Sequence, residues 1–259
     1  MRMLALIPLF LSHLIFMVSS AHAEITGEQA QNQIETLSQK IVRNRNDAKL
    51  FLNRGELYFL THDFDSAVDD FSTAIKLDGS LDAAWFGRGM AQGRLGYIQE
   101  GIDDLSVYIK RNPNDSRALT KRGVRYLWKG EKENALQDLK MAIKINPSNA
   151  EAHDDLGVVF AQMGDYKQAI KHFSQTIIID NTYQKGYHNL AMALHVTEND
   201  VMALDNVNKS LALYSESRDS LLLKSSILEA MGNLIEAKRI ENEAMFLPEP
   251  NWHESAPVR

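Results

Sequence analysis

Three side chains in the second half of the chain have the types and spacing of metal ligands. His188 and His195 are seven residues apart, so on a helix they share one face. Asp154 precedes His188 by 34 residues, which is the period of an internal repeat in this sequence. Two imidazoles and a carboxylate can bind zinc, which would make the chain a metal-binding or enzymatic accessory protein. Ordinary surface histidines, or a pH-sensitive surface patch, are the alternative interpretations.

Two pairs of adjacent carboxylates, Asp69-Asp70 and Asp103-Asp104, are the candidates for acid–base chemistry. Both pairs fall on predicted second helices of a repeat, and we interpret them as solvated charges on outward helix faces. The sequence has no G-x-S-x-G, no phosphate-binding glycine loop, no H-E-x-x-H and no cysteine. We therefore predict a non-enzymatic protein without a cofactor.

The elements that would position these residues recur every 34 residues. Small residues form two series, which are Gly55, Gly89, Gly123, Gly157, Ala191, Ser225 and Ala67, Gly101, Ala135, Ala169, Ala203, Ala237. Large apolar residues recur at the same step, and their series are offset by three and four positions, as on one face of a helix. Turn formers separate the units at Asp78-Gly79, Asn112-Pro113, Asn146-Pro147 and Asp180-Asn181.

Each unit is predicted to be a pair of antiparallel helices. The small residue of the first helix is expected to face the small residue of the second, so that the two backbones approach closely. Glycine in a helix interior costs about 1 kcal/mol relative to alanine. The close packing at Gly157 must therefore stabilise the fold by more than that amount.

With these features the chain resembles the tetratricopeptide-repeat family. In the fourth unit the pattern is carried by Leu156-Gly157, Phe160, Gly164, Tyr166, Ala169 and Phe173. The resemblance implies an all-α fold, a right-handed α-solenoid of six 34-residue repeats that begin at residues 48, 82, 116, 150, 184 and 218 and end at 247. Residues 24–47 are predicted to be a capping helix, a half repeat, because Ile34, Leu37 and Ile41 are in register with Val68, Phe71 and Ile75.

In this family the first helices line a concave face, so the resemblance implies a partner-binding groove there. The predicted groove residues are Lys49, Phe86, Met90, Arg94, Arg117, Lys121, Trp128, Asp154, His188 and Met192. We interpret Phe86, Met90 and Trp128 as exposed anchors, since aromatic residues and Met are enriched at contact sites.

Inward-facing charges are predicted to segregate along the chain. Repeats one to three place four cations against one carboxylate, a net of +3, and repeats four to six place one cation against five carboxylates, a net of −4. Such a field would orient an incoming segment of a partner. Incidental solvation of these charges is the alternative.

Both ends of the chain differ from the repeats. Residues 1–23 are predicted to be a secretory signal, because Arg2 precedes an apolar run that ends in the pattern Ala21-x-Ala23. An uncleaved membrane anchor is the alternative interpretation of this segment. Residues 248–259 hold three prolines and are predicted to be a flexible tail.

Charge and composition narrow the range of partners. A net charge of −6 argues against nucleic acid and anionic membranes, and the lack of cysteine excludes disulfides and a lipid anchor on a thiol. We predict a periplasmic scaffold that binds a segment of another protein and does not insert into the membrane after signal cleavage. A self-associating structural protein, and hence a homo-oligomer, is a further hypothesis.

Overall fold

The computed structural model describes residues 27–248, so the predicted signal segment and residues 249–259 of the predicted tail lie outside the described residues. Throughout the described range the regular elements are all α-helices. The prediction of an all-α helical-repeat fold is confirmed. No helix among these residues has the length and hydropathy that a membrane span requires.

The chain divides into two compact units, the first of which ends at Asp104 within the described range. Its helices are α1 (Gly27–Arg43), α2 (Ala48–Leu60), α3 (Phe64–Leu77) and α4 (Asp82–Arg94), and α5 (Ile98–Arg111) contains the boundary. The second unit holds α6 (Ser116–Trp128), α7 (Lys132–Ile145), α8 (Ala150–Gln162), α9 (Tyr166–Ile179), α10 (Gln184–Val196), α11 (Asp200–Leu213), α12 (Arg218–Ala230) and α13 (Leu234–Met245).

Local turn chemistry sets where these helices begin. Asp115, Asn149 and Ser217 each precede a first helix, and their side chains accept hydrogen bonds from the backbone N–H groups of Ala118, Ala152 and Ser220. Between the two helices of a pair the chain takes a positive φ, which glycine adopts without strain. Gly164 has this conformation, with φ of 81°.

The helices of a pair run antiparallel. In the second unit Ser116 of α6 donates a hydrogen bond to the carbonyl of Ala142 in α7, at 2.9 Å. Arg122, further along α6, bonds instead to Asp138, which lies earlier in α7. Residues later in α6 therefore contact residues earlier in α7, which is the antiparallel arrangement that the sequence predicts for a helix pair.

Glycine permits close contact within a pair, but its partner differs from the prediction. A Cβ atom placed on Gly157 would lie 2.5 Å from the ring of Phe173, and one on Gly123 would lie 2.9 Å from Leu139. The bare backbone of the first helix therefore faces a large apolar side chain of the second helix rather than a small residue. Phe173 and Leu139 are buried, so these contacts belong to the core of the second unit.

First helices lie closer together than second helices in the second unit. Three pairs of successive first helices approach each other, α6 with α8, α8 with α10 and α10 with α12. Within residues 105–248 no corresponding approach joins α7 with α9, α9 with α11, or α11 with α13. The first helices therefore line the inner, concave side of this unit, and we call their inward-facing side chains the inner wall.

An arginine network reinforces the helix pairs and was missed in the sequence. In the first unit Arg54 donates two hydrogen bonds to Asp70, at 2.7 and 2.8 Å, and one to Ser38, at 2.8 Å. The set recurs 34 residues later as Arg88, Asp104 and Ser72, and in the second unit as Arg122, Asp138 and Ser106. The interpretation of Asp70 and Asp104 as solvated charges is wrong, because both carboxylates are buried and paired.

The glycine contact predicts the effect of adding one methyl group. Alanine gains about 1 kcal/mol of helix propensity over glycine, but overpacking a filled core costs roughly 1–3 kcal/mol. Because an added Cβ atom would lie 2.5 Å from the buried ring of Phe173, we expect Gly157→Ala to lower the free energy of unfolding in urea. Adding Phe173→Leu should recover part of the loss.

Gly27 is the matched control, because nothing lies within 4 Å of a Cβ atom placed there. Gly27→Ala should leave the stability unchanged or raise it. A Gly157→Ala protein as stable as the parent chain would contradict the close contact.

Candidate partner-binding surface

Side-chain bonds connect the four first helices of the inner wall into a continuous series. Each bond joins one first helix to the next along the chain, so the wall is braced from α6 to α12. The bonds are Lys121 Nζ to Glu151, Asn189 Nδ2 to Asp154 at 2.8 Å, and His188 Nδ1 to the hydroxyl of Ser220 at 3.0 Å. These side chains are thereby held in place before any partner arrives.

A group of charged residues lies at the centre of this wall. The ammonium of Lys185 on α10 is 3.0 Å from Asp154 Oδ2 and 3.6 Å from Asp155 Oδ1, both on α8. Asp154 is fully buried and Asp155 is 4% exposed, whereas the side chain of Lys185 is 48% exposed. We call Lys121, Glu151, Asp154, Asp155 and Lys185 the carboxylate cluster.

Burial changes the proton affinities in the cluster. Burial raises the pKa of Asp155 to about 7, with the charges of Glu151 and Asp154 adding to the effect and Lys185 opposing it. For Lys185 burial disfavours the charge, but the nearby carboxylates of Asp154 and Asp155 dominate together, and its pKa is raised. Lys185 is therefore charged at neutral pH, while Asp155 is divided between its two protonation states.

The structure does not bring the predicted metal ligands together. His195 contacts Asp200 at 2.6 Å and Ser226 at 3.1 Å, and His188 contacts Ser220. Asp154 instead accepts from Asn189 and pairs with Lys185. Among residues 27–248 no three histidine or acidic side chains have the arrangement of a metal site.

Two of the three predicted anchors are not exposed. Phe86 and Met90 of α4 are 3% and 6% exposed, so the prediction that they are available to a partner is wrong. The physical reason is that neighbouring elements cover them, which spacing along one helix does not reveal. Trp128, at the end of α6, and Met192 of α10 are 59% and 43% exposed. Both lie a multiple of seven residues from a charged residue of the inner wall, Lys121 and Lys185, and so share its face.

The predicted cations occupy different surroundings. Lys49 at the start of α2 is exposed, and Arg117 of α6 is partly buried. The guanidinium of Arg94 lies over the ring of Phe64, 5.4 Å from its centre, so this side chain packs within the first unit. In the second unit the carboxylates of the cluster pair with Lys121 and Lys185, which weakens the negative field predicted there.

The first unit contains one partly buried carboxyl group, Glu56, whose surroundings the sequence did not indicate. Glu56 of α2 is partly buried and has no hydrogen-bond or ion-pair partner among residues 27–248. Burial raises its pKa to about 7. Its place on a first helix was visible in the sequence, but the lack of a partner was not.

In the second unit two histidines, His153 and His172, contact each other one repeat after the last arginine–aspartate pair of the network. The Nδ1 atoms of His153 and His172 are 3.1 Å apart, and the ring of His172 stacks on Phe160. His172 lies 34 residues after Asp138 and takes the place of the paired aspartate. Burial, then the charges of His153 and of nearby lysines, lowers the pKa of His172 to about 4, and burial also lowers that of His153.

This pair predicts a loss of stability in acid. The pKa of His172 in the folded chain lies below the ordinary histidine value of 6.5, so the unfolded chain binds more protons between pH 6.5 and about 4. The contribution of uncharged His172 to the free energy of unfolding is present above pH 6.5 and is lost as the pH falls from 6.5 to about 4. We expect His172→Asn, which introduces the residue found at Asn206 one repeat later, to reduce the acid loss by about 2 kcal/mol in urea titrations at each pH.

The exposed His62 supplies the control for this comparison. Its positive φ of 64° is one that asparagine tolerates, so His62→Asn should fold normally. This variant should keep the pH dependence of the parent chain. An unchanged acid loss in His172→Asn would show that the histidine pair is not its source.

Comparison with known proteins supports the helical-repeat assignment. A family model described as TPR repeat matches residues 123–164. A tetratricopeptide repeat protein from Parabacteroides merdae is similar in structure, with a TM-score of 0.71 and 16% identity, over 86% of this chain and 89% of that one. No curated protein matches the sequence.

Two further solved structures share the fold. YrrB, described as a TPR protein with an unusual peptide-binding site, has a TM-score of 0.57 and 20% identity over 73% of this chain and 97% of its own. A chain of the Cut9-Hcn1 hetero-tetramer of the APC/C has a TM-score of 0.68 and 17% identity over 86% of this chain. This chain spans 47%, about half, of that longer one.

Proposed function

We propose that this chain is a tetratricopeptide-repeat protein that acts as a non-enzymatic scaffold and binds a segment of another protein along the inner wall of its second unit. The observation that carries the proposal is the series of side-chain bonds across α6, α8, α10 and α12. A wall that is ordered in advance loses little conformational freedom when a partner binds. Trp128 and Met192 add exposed apolar surface to that wall.

The relatives in structure are consistent with this class of function. The description of YrrB names a peptide-binding site, and that of the Cut9-Hcn1 chain names a hetero-tetramer. We extend from these only the general property of binding a protein or peptide. The sequence of residues 1–23 is the basis for placing the scaffold in the periplasm, in the assembly of the cell envelope.

Position-specific crosslinking in cells provides the test. A photoreactive amino acid at Met192 or Trp128 should yield an adduct with one partner protein, because both side chains are exposed on the inner wall. Met202 of α11 is the matched control, since it is 58% exposed on a second helix. The adducts are measured by gel shift and identified by mass spectrometry.

The pattern of adducts decides between the hypotheses. The scaffold proposal expects the same partner from Met192 and Trp128 and little or none from Met202. Equal yields at all three sites would contradict a role for the inner wall. Adducts that contain only a second copy of this chain would favour the self-associating structural protein instead.

A further inference from the structure

We propose that the carboxylate cluster is a subsite for one lysine or arginine side chain of the partner. The inference rests on the proposed binding of a partner segment at the inner wall, and it adds the chemistry that this segment must carry. Asp155 is the residue that contacts the incoming cation. Lys185, Glu151 and Asp154 surround the place where it binds.

The charges of the cluster do not balance. Three carboxylates, those of Glu151, Asp154 and Asp155, face two ammonium groups. Glu151 already holds Lys121, and the second ammonium, Lys185, lies nearer to Asp154 than to Asp155. When all three carboxyl groups are ionised, one negative charge is therefore left over, and it lies mainly on Asp155.

Hydrogen-bond donors are also unequally shared. Asp154 Oδ1 accepts from Asn189 at 2.8 Å. Among residues 27–248 the buried Oδ2 atoms of Asp154 and Asp155 both lack a hydrogen-bond donor, but Lys185 Nζ lies 3.0 Å from Oδ2 of Asp154 and pairs with its charge. The 3.6 Å between Lys185 Nζ and Asp155 Oδ1 is longer than a hydrogen bond. A buried acceptor without a donor is costly, so a ligand that supplies an N–H group here is favoured.

The cluster is reached from the inner wall. The side chains of Lys185 and Glu151 are 48% and 33% exposed, and they border the buried carboxylates. A cation that enters between them can reach Asp155, because Lys185 lies 3.6 Å from Asp155 Oδ1 and nearer to Asp154. Guanidinium carries five N–H donors and ammonium three, so either can satisfy Asp155 while Lys185 keeps its bond to Asp154.

Other ligand classes fit this place poorly. An anion would face the surplus negative charge, and an apolar side chain would remove water from the carboxylates without replacing its hydrogen bonds. The described residues offer no arrangement of three metal ligands, and two of the carboxylates already bind ammonium groups. A basic side chain is the chemistry that supplies both the charge and the donor.

Binding at this place is linked to pH. The groups that face Asp155 are Glu151 and Asp154 on its own helix, Lys185 on α10 and Lys121 on α6, and together with burial they set its pKa at about 7. A bound cation favours the ionised carboxylate, so binding releases a proton. If the pKa falls well below 6 in the complex, affinity should drop about tenfold between pH 8 and pH 6.

The test uses a defined probe, a phage-displayed library of random linear peptides selected on the whole purified chain. We expect the selected peptides to share one lysine or arginine at a fixed place in their common motif. At pH 8 the variant Asp155→Asn should bind a selected peptide at least about tenfold more weakly. Glu229→Gln, which changes an exposed carboxylate of α12, should bind it within about twofold of the parent chain.

Two additional measurements keep the test independent of folding. Circular dichroism checks that Asp155→Asn unfolds at or above the temperature of the parent chain, as expected when a buried charge is removed. The parent chain alone should show the fall in affinity from pH 8 to pH 6, and a peptide with norleucine or citrulline at the basic position should lose it.

The outcomes separate this inference from the function on which it rests. Selected peptides that lack a common basic residue, or that bind Asp155→Asn as tightly as the parent chain, overturn the subsite and leave the scaffold proposal in place. A pH-independent affinity also overturns it. Failure of the chain to select any peptide, together with equal crosslinking from the inner wall and from Met202, contradicts the proposed function itself.

Discussion

An apolar side chain packed directly on the bare backbone of a glycine is the contact on which the rest of this structure depends. At Gly157 and Gly123 the ring of Phe173 and the side chain of Leu139 occupy the space that a Cβ atom would need. The two helices of a pair are thus held closer than side chains on both would allow. The contact recurs 34 residues apart in these two successive pairs, whereas Ala191 and Ser225 take the place of the glycine in the next two.

The chemistry of the inner wall follows from this packing. First helices lie close enough for one polar side chain to bridge two of them, as Asn189 does to Asp154. The same closeness excludes water from Asp154 and Asp155, which shifts the pKa of Asp155 and leaves one of its oxygens without a donor. The carboxylates of the inner wall are therefore held in place by neighbouring helices, and they outnumber the ammonium groups that pair with them. These two properties are the ones on which the proposed recognition of a partner rests.

The features that could be predicted from the sequence were those set by residues close to one another along the chain. The starts of the helices were predictable, because caps such as Asp115 and turn residues such as Gly164 act within a few residues. The arginine network also left a signal, since Arg54, Arg88 and Arg122 recur at the repeat step with an aspartate sixteen residues later. That signal was overlooked because charged residues at a regular step were interpreted as solvated.

Other features left no readable signal. The burial of Phe86 depends on what covers α4, and helical spacing reports only which face a residue occupies. The pairing of Lys185 with Asp154, and the missing donor of Asp155, depend on distances between neighbouring first helices. Nothing in the types or spacing of these residues distinguishes a paired carboxylate from an unpaired one.

Oxidative footprinting of the free and partner-bound chain, read by mass spectrometry, tests most directly whether the inner wall is the contact surface. Met192 and Trp128 report on the wall, and Met141 and Met202, which are 45% and 58% exposed, report on second helices. The account predicts that the partner protects Met192 and Trp128 from oxidation and leaves Met141 and Met202 as reactive as in the free chain. Protection of the second-helix methionines with no change at Met192 and Trp128 would contradict it.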